Sequence, residues 1–240
     1  GGAVALIDGV TGSGKTEVYF EAIAEALRRG KQALVLLPEI ALTEQFLRRF
    51  EQRFGVYPAE WHSQITVKNR SRVWRGVASG DVRVVIGARS SLFLPFKELG
   101  LIIVDEEHDL SYKQQDGLRY NARDLAVYRG HLDQVPVILG SATPSLESLH
   151  NVQQGRYQHL RLTIRAGNAK APSFQCLDIR SRPLEGGLSR PLTDLVSQHL
   201  GRGNQVLVFI NRRGFAPTLM CHDCGWIAEC RRCDARMTVH

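Results

Sequence analysis

The sequence predicts the α/β class, a parallel sheet with helices on both faces and the start of a second, similar lobe. Three observations carry this. Short β-branched segments alternate with amphipathic helical stretches over the first 165 residues, a Gly-x4-Gly-Lys-Thr loop joins the first strand to the first helix, and an apolar run ends abruptly in acidic residues. Residues 3–7 (AVALI) read as a buried strand, and 17–29 as the helix behind the glycine loop. Residues 33–37 (ALVLL) form the next strand; 43–54 follow as a helix with Phe46, Leu47 and Phe50 on one face. A strand at 56–61, a helix at 67–78 and strands at 82–86, 101–104 and 137–139 complete a first domain over 1–165. The Gly- and Pro-bearing stretch 166–187 reads as a linker. Residues 188–200 read as a helix and 205–210 as a strand, so 188–240 is expected to begin the second lobe.

Composition bounds the function. The chain has 240 residues, 43% of them hydrophobic, enough for a large core. Its net charge of +7 suits a polyanionic partner such as nucleic acid, although a merely basic surface gives the same figure. No apolar run approaches the about 18 residues that a bilayer span needs, so no membrane partner is expected. The chain opens directly on a strand, without a leader, which predicts a piece excised from a longer, cytoplasmic protein. Cys176 stands alone, whereas Cys221, Cys224, Cys230 and Cys233 crowd one segment with metal-ligand rather than disulfide spacing.

Gly9-Val10-Thr11-Gly12-Ser13-Gly14-Lys15-Thr16 is the strongest chemical signal. Strand, glycine loop and helix N-terminus form the setting in which backbone N–H groups cradle phosphate, aided by the helix dipole. Gly9, Thr11, Gly12, Ser13 and Gly14 would line the cradle, with Lys15 on the β and γ phosphates and the Thr16 hydroxyl on Mg²⁺. Asp105-Glu106-Glu107-His108 ends the strand at 101–104. Asp105 would hold Mg²⁺ through its water shell, Glu106 would polarise the attacking water, and His108 would link this site to a neighbour. Gly140-Ser141-Ala142-Thr143-Pro144 follows another strand; its hydroxyls can bond the acidic cluster or cap a helix begun by Pro144.

For DNA, Tyr112 and Tyr120 offer stacking faces, while Lys113, Arg119 and Arg123 can meet phosphates. Arg89, Ser90, Ser91 and Thr43 at strand ends can hold the backbone of a strand, although Thr43 reads equally well as a helix cap. The two Cys-x2-Cys pairs can each give two thiolates to zinc at about 2.3 Å. All four can close one site, but the five-residue spacer is short against the about 15–20 residues usual between such pairs.

In order, the glycine loop, residues 37–43 (LPEIALT), 87–93 (GARSSLF), Asp105–His108 and residues 140–144 (GSATP) resemble superfamily 2 helicase motifs. Residues 111–126, 211–217 (NRRGFAP) and 221–226 (CHDCGW) resemble, more narrowly, the bacterial replication-restart DNA helicases. This resemblance implies a RecA-like helicase lobe 1, the start of lobe 2 with part of a zinc-binding insertion, and ATP-driven 3′→5′ unwinding. It implies action at stalled forks and D-loops in primosome assembly, in the bacterial cytoplasm at the nucleoid, with single-strand DNA-binding protein and other primosome proteins as partners. It also implies ATP, Mg²⁺ and two zinc ions as cofactors, each zinc shared with cysteines further along. Residues 111–120 resemble the family's DNA-sensing aromatic loop, with Leu118 where some relatives have tryptophan. An arginine finger would lie beyond residue 240, so this piece alone is expected to hydrolyse ATP feebly and to unwind negligibly. Two other readings share some of these motifs: a different superfamily 2 translocase or repair ATPase, and a non-catalytic zinc-bearing DNA-binding scaffold.

Overall fold

The computed structural model describes residues 2–38, 44–166, 173–209, 219–221, 223–230, 233 and 237. Two compact units divide the chain between Ala171 and Pro172. In the first, β1 (Val4–Gly9) leads to α1 (Lys15–Arg28), β2 (Gln32–Leu36), α2 (Glu44–Phe54), β3 (Ala59–Trp61), α3 (Val67–Ser79) and β4 (Val84–Gly87). After β5 (Leu99–Asp105) come the short β6 (Lys113–Gln114) and β7 (Tyr120–Asn121), then α4 (Ala122–Leu132), β8 (Val137–Ser141), α5 (Leu146–Gln153) and β9 (Gln158–Leu162).

Seven strands form one sheet in the order β3-β4-β2-β5-β8-β1-β9, and every pairing in it is parallel. The all-parallel order requires crossovers, and the helices that make them cover both faces. On one face Tyr19, Phe20 and Ile23 of α1 and Phe46, Leu47 and Phe50 of α2 pack against Ala33, Val35, Ile86 and Ile103. Phe20 meets Phe46, Phe50 and Phe54 edge-on, with centroids 5.7, 5.9 and 5.7 Å away. On the other face Val73, Val77, Ala122 and Ala126 pack against Leu34, Leu36, Ile102 and Val104. Neighbouring residues of β2 therefore serve opposite cores, as period-two alternation demands. Buried Gln32 locks the end of α3: its amide donates to Val77 O at 3.1 Å and Val82 O at 2.6 Å.

The predicted elements of the first domain are all present; β6, β7 and α4 were not foreseen, nor was the edge strand β9. Its alternating QHLRL sequence leaves most of the strand exposed, so it carries little apolar signal. The second unit holds a short hairpin, β10 (Leu184–Glu185) with β11 (Leu188–Ser189), and α6 (Arg190–Gly201). The strand expected at 205–210 is not formed over 205–209; a strand needs a partner for its backbone groups, and none pairs there among the described residues. Among the described residues no helix is long and apolar enough to cross a membrane.

Candidate nucleotide site and nucleic-acid face

Parallel pairing places the motifs along one sheet edge. Asp105 lies opposite Gly140, Asp8 opposite Ser141, and Leu36 opposite both Val104 and Gly87. The segments leaving the C-terminal ends of β1, β2, β4, β5 and β8 thus face one crevice, where open α/β sheets bind ligands.

The glycine loop is shaped as a phosphate cradle. Gly12 and Gly14 have φ of 78° and 90°, and nothing stands within 4 Å of a Cβ built on either. Gly9 is required for another reason: a Cβ there would lie 2.6 Å from Ser13 Oγ and 2.9 Å from Lys15 Cγ. α1 begins with no side-chain cap, which leaves its first N–H groups to a ligand. The Ser13 hydroxyl is buried without a partner, a state that ordinarily costs stability unless a ligand satisfies it. Lys15 folds back over the loop and donates from Nζ to Gly9 O at 2.8 Å.

The acidic strand end is held by buried hydroxyls. Tyr19 of α1 donates to Asp105 Oδ1 at 2.8 Å, and Tyr112 donates to the Asp105 carbonyl at 2.6 Å. Burial pushes the Asp105 carboxyl above its ordinary value, opposed by the Tyr19 bond and by the charges of Lys15 and His108. Burial and the neighbouring Asp105 push Glu106 up, again opposed by Lys15 and His108. Lys15 therefore acts on both carboxylates, as a shared site requires. Glu106 is held at φ 47°, a left-handed conformation that costs a non-glycine residue about 1–3 kcal/mol. Its neighbours enforce it: Asp109 N donates to Glu106 O at 2.8 Å and Glu107 N to Gly140 O at 3.0 Å. His108 Nδ1 lies 2.7 Å from Ser141 Oγ, and 3.7 Å from Glu106 Oε2.

Sequence reasoning missed Glu107. It is 2% exposed and accepts from Ser145 N at 2.6 Å, Ser145 Oγ at 2.9 Å, Ser148 Oγ at 2.9 Å and Arg123 at 3.2 Å. These partners stand 16 to 41 residues away in sequence, so no local pattern announces them. They overturn two expectations. Arg123 is spent on Glu107, Asp124 and Ser145 and is not open to phosphate. The helix after Pro144 is capped by Ser145, which accepts from Ser148 N, while Ser141 Oγ accepts from Thr143 N within the turn.

The DNA residues are divided. Tyr112 is 1% exposed and offers no face to a base; its hydroxyl has backbone acceptors inside the domain, so the ring follows it inward. Arg89 donates to Ser111 O at 2.9 Å and Lys113 O at 3.3 Å, holding the loop in place. Ser91, expected to hold DNA, is buried and donates to Ala88 O at 2.6 Å. Ser90 is exposed and accepts from Trp61 at 3.2 Å. Tyr120 stays half-buried with its ring edge-on to Phe93 at 5.3 Å. Arg89, Ser90 and Tyr120 line one cleft of 380 Å³, and Lys113, Arg119 and Tyr120 an adjoining one of 740 Å³. A concavity of 1160 Å³, lined by Phe50, Phe54 and Tyr57 among others, touches none of the nucleotide motifs. Thr43 and the 211–217 segment lie outside the described residues.

In the second unit Cys221 and Cys224 flank a tight turn. Cys221 N donates to Trp226 O at 2.7 Å and Gly225 N to Cys221 O at 3.0 Å, with Gly225 at φ 75°. N–H and thiol donors from Cys224, with the N–H of Asp223, lower the pKa of Cys221. No cluster of three or more metal-ligating side chains is assembled among the described residues.

Residues 1–152 match the model of the DEAD/DEAH box helicase family, and the chain belongs to that family. The chain matches the fold of the helicase MrfA with a TM-score of 0.56 at 19% identity over 89% of this chain and 34% of that one. RecG bound to a three-way DNA junction matches at TM-score 0.50 and 25% identity, covering 70% of this chain and 21% of RecG. The lobe is thus RecA-like. More particularly, the chain is 54% identical to the replication restart protein PriA of Haemophilus influenzae over 98% of its length. It is 42% identical to that of Bacillus subtilis over 99%. It spans 32% and 30% of those two relatives, about a third of their length.

Proposed function

We propose that this chain is the ATP-binding part of a PriA-type replication-restart DNA helicase, working 3′→5′ at stalled forks and D-loops in the bacterial cytoplasm, at the nucleoid. The observation that carries the reading is the single edge on which the Gly9–Thr16 cradle, Asp105, Glu106 and the His108–Ser141 pair meet. Its likeness to the PriA relatives over nearly the whole chain supports the restart role. Single-strand DNA-binding protein and primosome proteins are the partners that this role brings.

The residues fit a magnesium–triphosphate complex: the orphaned Ser13 hydroxyl, the open glycine positions and the uncapped α1 supply donors for phosphate. Lys15 would exchange the Gly9 carbonyl for phosphate oxygens. Thr16 and Asp105 would hold Mg²⁺, which when bound neutralises charge between the β and γ phosphates. Glu106, with its raised affinity for protons, takes a proton from the attacking water and orients it in line. His108 passes the state of Glu106 to Ser141 and so to the segment after β8. Arg89, Ser90, Lys113, Arg119 and Tyr120 form the face for single-stranded or forked DNA, where Tyr120 stacks and the basic groups meet phosphate. Cys221 and Cys224 would supply half of a zinc site, completed by further thiolates; the lowered Cys221 thiol suits it to metal.

ATP hydrolysis by the intact protein, with and without forked DNA, tests this. DNA-stimulated hydrolysis that falls by about 10²-fold or more in Lys15→Ala is expected. Hydrolysis and fork unwinding unchanged by that substitution would contradict the reading and favour a DNA-binding scaffold.

A further inference from the structure

The geometry points to Tyr19 as a positioning residue that sets the orientation of the Asp105 carboxylate toward magnesium and the bound phosphates. The inference rests on the nucleotide reading above and deepens it. Tyr19 stands one helical turn after Lys15 on α1, so the helix that begins at the phosphate cradle also carries the group bonded to the metal-facing acid. It is fully buried, and its hydroxyl donates its one proton to Asp105 Oδ1 at 2.8 Å. That leaves Oδ2 free of this bond and fixes the plane of the carboxylate. From the backbone side Tyr112 bonds the Asp105 carbonyl at 2.6 Å. Asp105 is thus braced twice, and one brace moves with Lys15 and Thr16.

Gly140 shows that the hydroxyl, and not only the ring, is accommodated. A Cβ on Gly140 would lie 1.7 Å from the Tyr19 oxygen. The phenol therefore occupies the space left by a missing side chain in the strand beside Asp105. The gap serves the ring too, whose Cζ would lie 2.8 Å from that Cβ, but the closest approach is made by the hydroxyl. Tyr19 itself lies beneath the carboxylate and touches no reacting atom, which makes its role one of positioning.

Tyr19→Phe keeps the ring and removes the donor. The measurement is the free Mg²⁺ needed for half-maximal binding of mant-ATP to the intact protein, read by fluorescence without turnover. Loss of an outer partner of a metal-holding group predicts a rise of about 10-fold, with mant-ATP binding in EDTA unchanged. Gly140→Ala, which drives the hydroxyl aside while keeping the tyrosine, is expected to shift the requirement in the same direction, and it decides the matter if Tyr19→Phe does not fold. A lowered Tm with an unchanged Mg²⁺ requirement in both variants would overturn the proposal and leave Tyr19 as core. Lys15→Ala separates the two levels. If it weakens mant-ATP binding while Tyr19→Phe leaves the Mg²⁺ requirement alone, only the Tyr19 role fails; if it leaves binding untouched, the nucleotide reading fails and the Tyr19 role with it.

Discussion

The acidic strand end at Asp105–His108 and the cysteine segment at 221–233 are both dense in chemical side chains, yet they are built in opposite ways. The first is anchored by a seven-stranded sheet, and its groups are held by buried partners from α1, α4 and α5. In the second, Cys224 and Cys233 are exposed and Cys221 and Cys230 half-buried, and what holds the first pair is one tight turn. A site whose geometry comes from a packed core exists before its ligand arrives. If the cysteines hold zinc as proposed, a site whose geometry comes from a turn depends on the ion to complete it.

The contrast can be broken most forcefully at the cysteines. On the proposed zinc reading, chelation or Cys224→Ser is expected to release the ion and disorder the turn, since structural zinc contributes about 10–16 kcal/mol to such small sites. Metal content by mass spectrometry, with hydrogen exchange over 219–230, checks this. The same treatment leaves exchange in β1, β5 and β8 unchanged. Absence of zinc in the untreated protein would remove the cysteine half of the comparison.

Within the acidic cluster the two adjacent glutamates should separate. Glu106→Gln is expected to lower ATP hydrolysis by about 10²–10⁴-fold while nucleotide still binds. Glu107→Ala is expected to destabilise the first unit by about 1–3 kcal/mol for each buried donor left unpaired, because Ser145 N and the Ser145 and Ser148 hydroxyls lose their acceptor while Arg123 keeps Asp124; a denaturant titration reads it. Equal effects of both changes on stability would deny the division of labour.

A smaller effect belongs to the aromatic loop. Tyr120→Ala is expected to weaken single-strand binding by about 1–3 kcal/mol. Tyr112→Phe, which removes only an inward hydroxyl, should leave that affinity unchanged. Fluorescence anisotropy with a labelled oligonucleotide distinguishes them.

The smallest effect is one of pH. Glu106 binds its proton more tightly in the folded protein than in the unfolded chain. Its charge therefore costs stability at neutral pH, and the cost fades as pH falls through its raised folded value toward the ordinary one. Glu106→Gln should accordingly raise Tm slightly at pH 7 and not in acid below the ordinary carboxylate range. A Tm that falls at pH 7 would contradict the assigned shift.

Much of the first unit was legible because its signals are local. The glycine loop, the apolar runs and the acids after β5 each lie within a few residues, and parallel pairing then brings them together. What escaped depends on distance. Glu107 looks like any acid in a turn until Ser145, Ser148 and Arg123 fold onto it, and Tyr19 like any helical aromatic until Asp105 arrives. Tyr112 was misread because a tyrosine in a polar loop gives no sign of which way its ring turns; two backbone carbonyls inside the domain decide that. The loop-holding bonds of Arg89 escaped for the same reason, since its acceptors are carbonyls of a loop 22 and 24 residues on. Residues 205–209 carry strand propensity, but propensity forms no strand without a neighbour to pair.

The central claim is that triphosphate docks between Lys15 and Asp105. A crystal structure of the intact protein with Mg²⁺ and a non-hydrolysable ATP analogue tests it most directly. The account predicts the β and γ phosphates within the Gly12–Thr16 amides, Lys15 Nζ moved from Gly9 O onto them, and one Mg²⁺ facing both the Thr16 hydroxyl and Asp105. An analogue bound elsewhere, with Lys15 still on the Gly9 carbonyl, would contradict it.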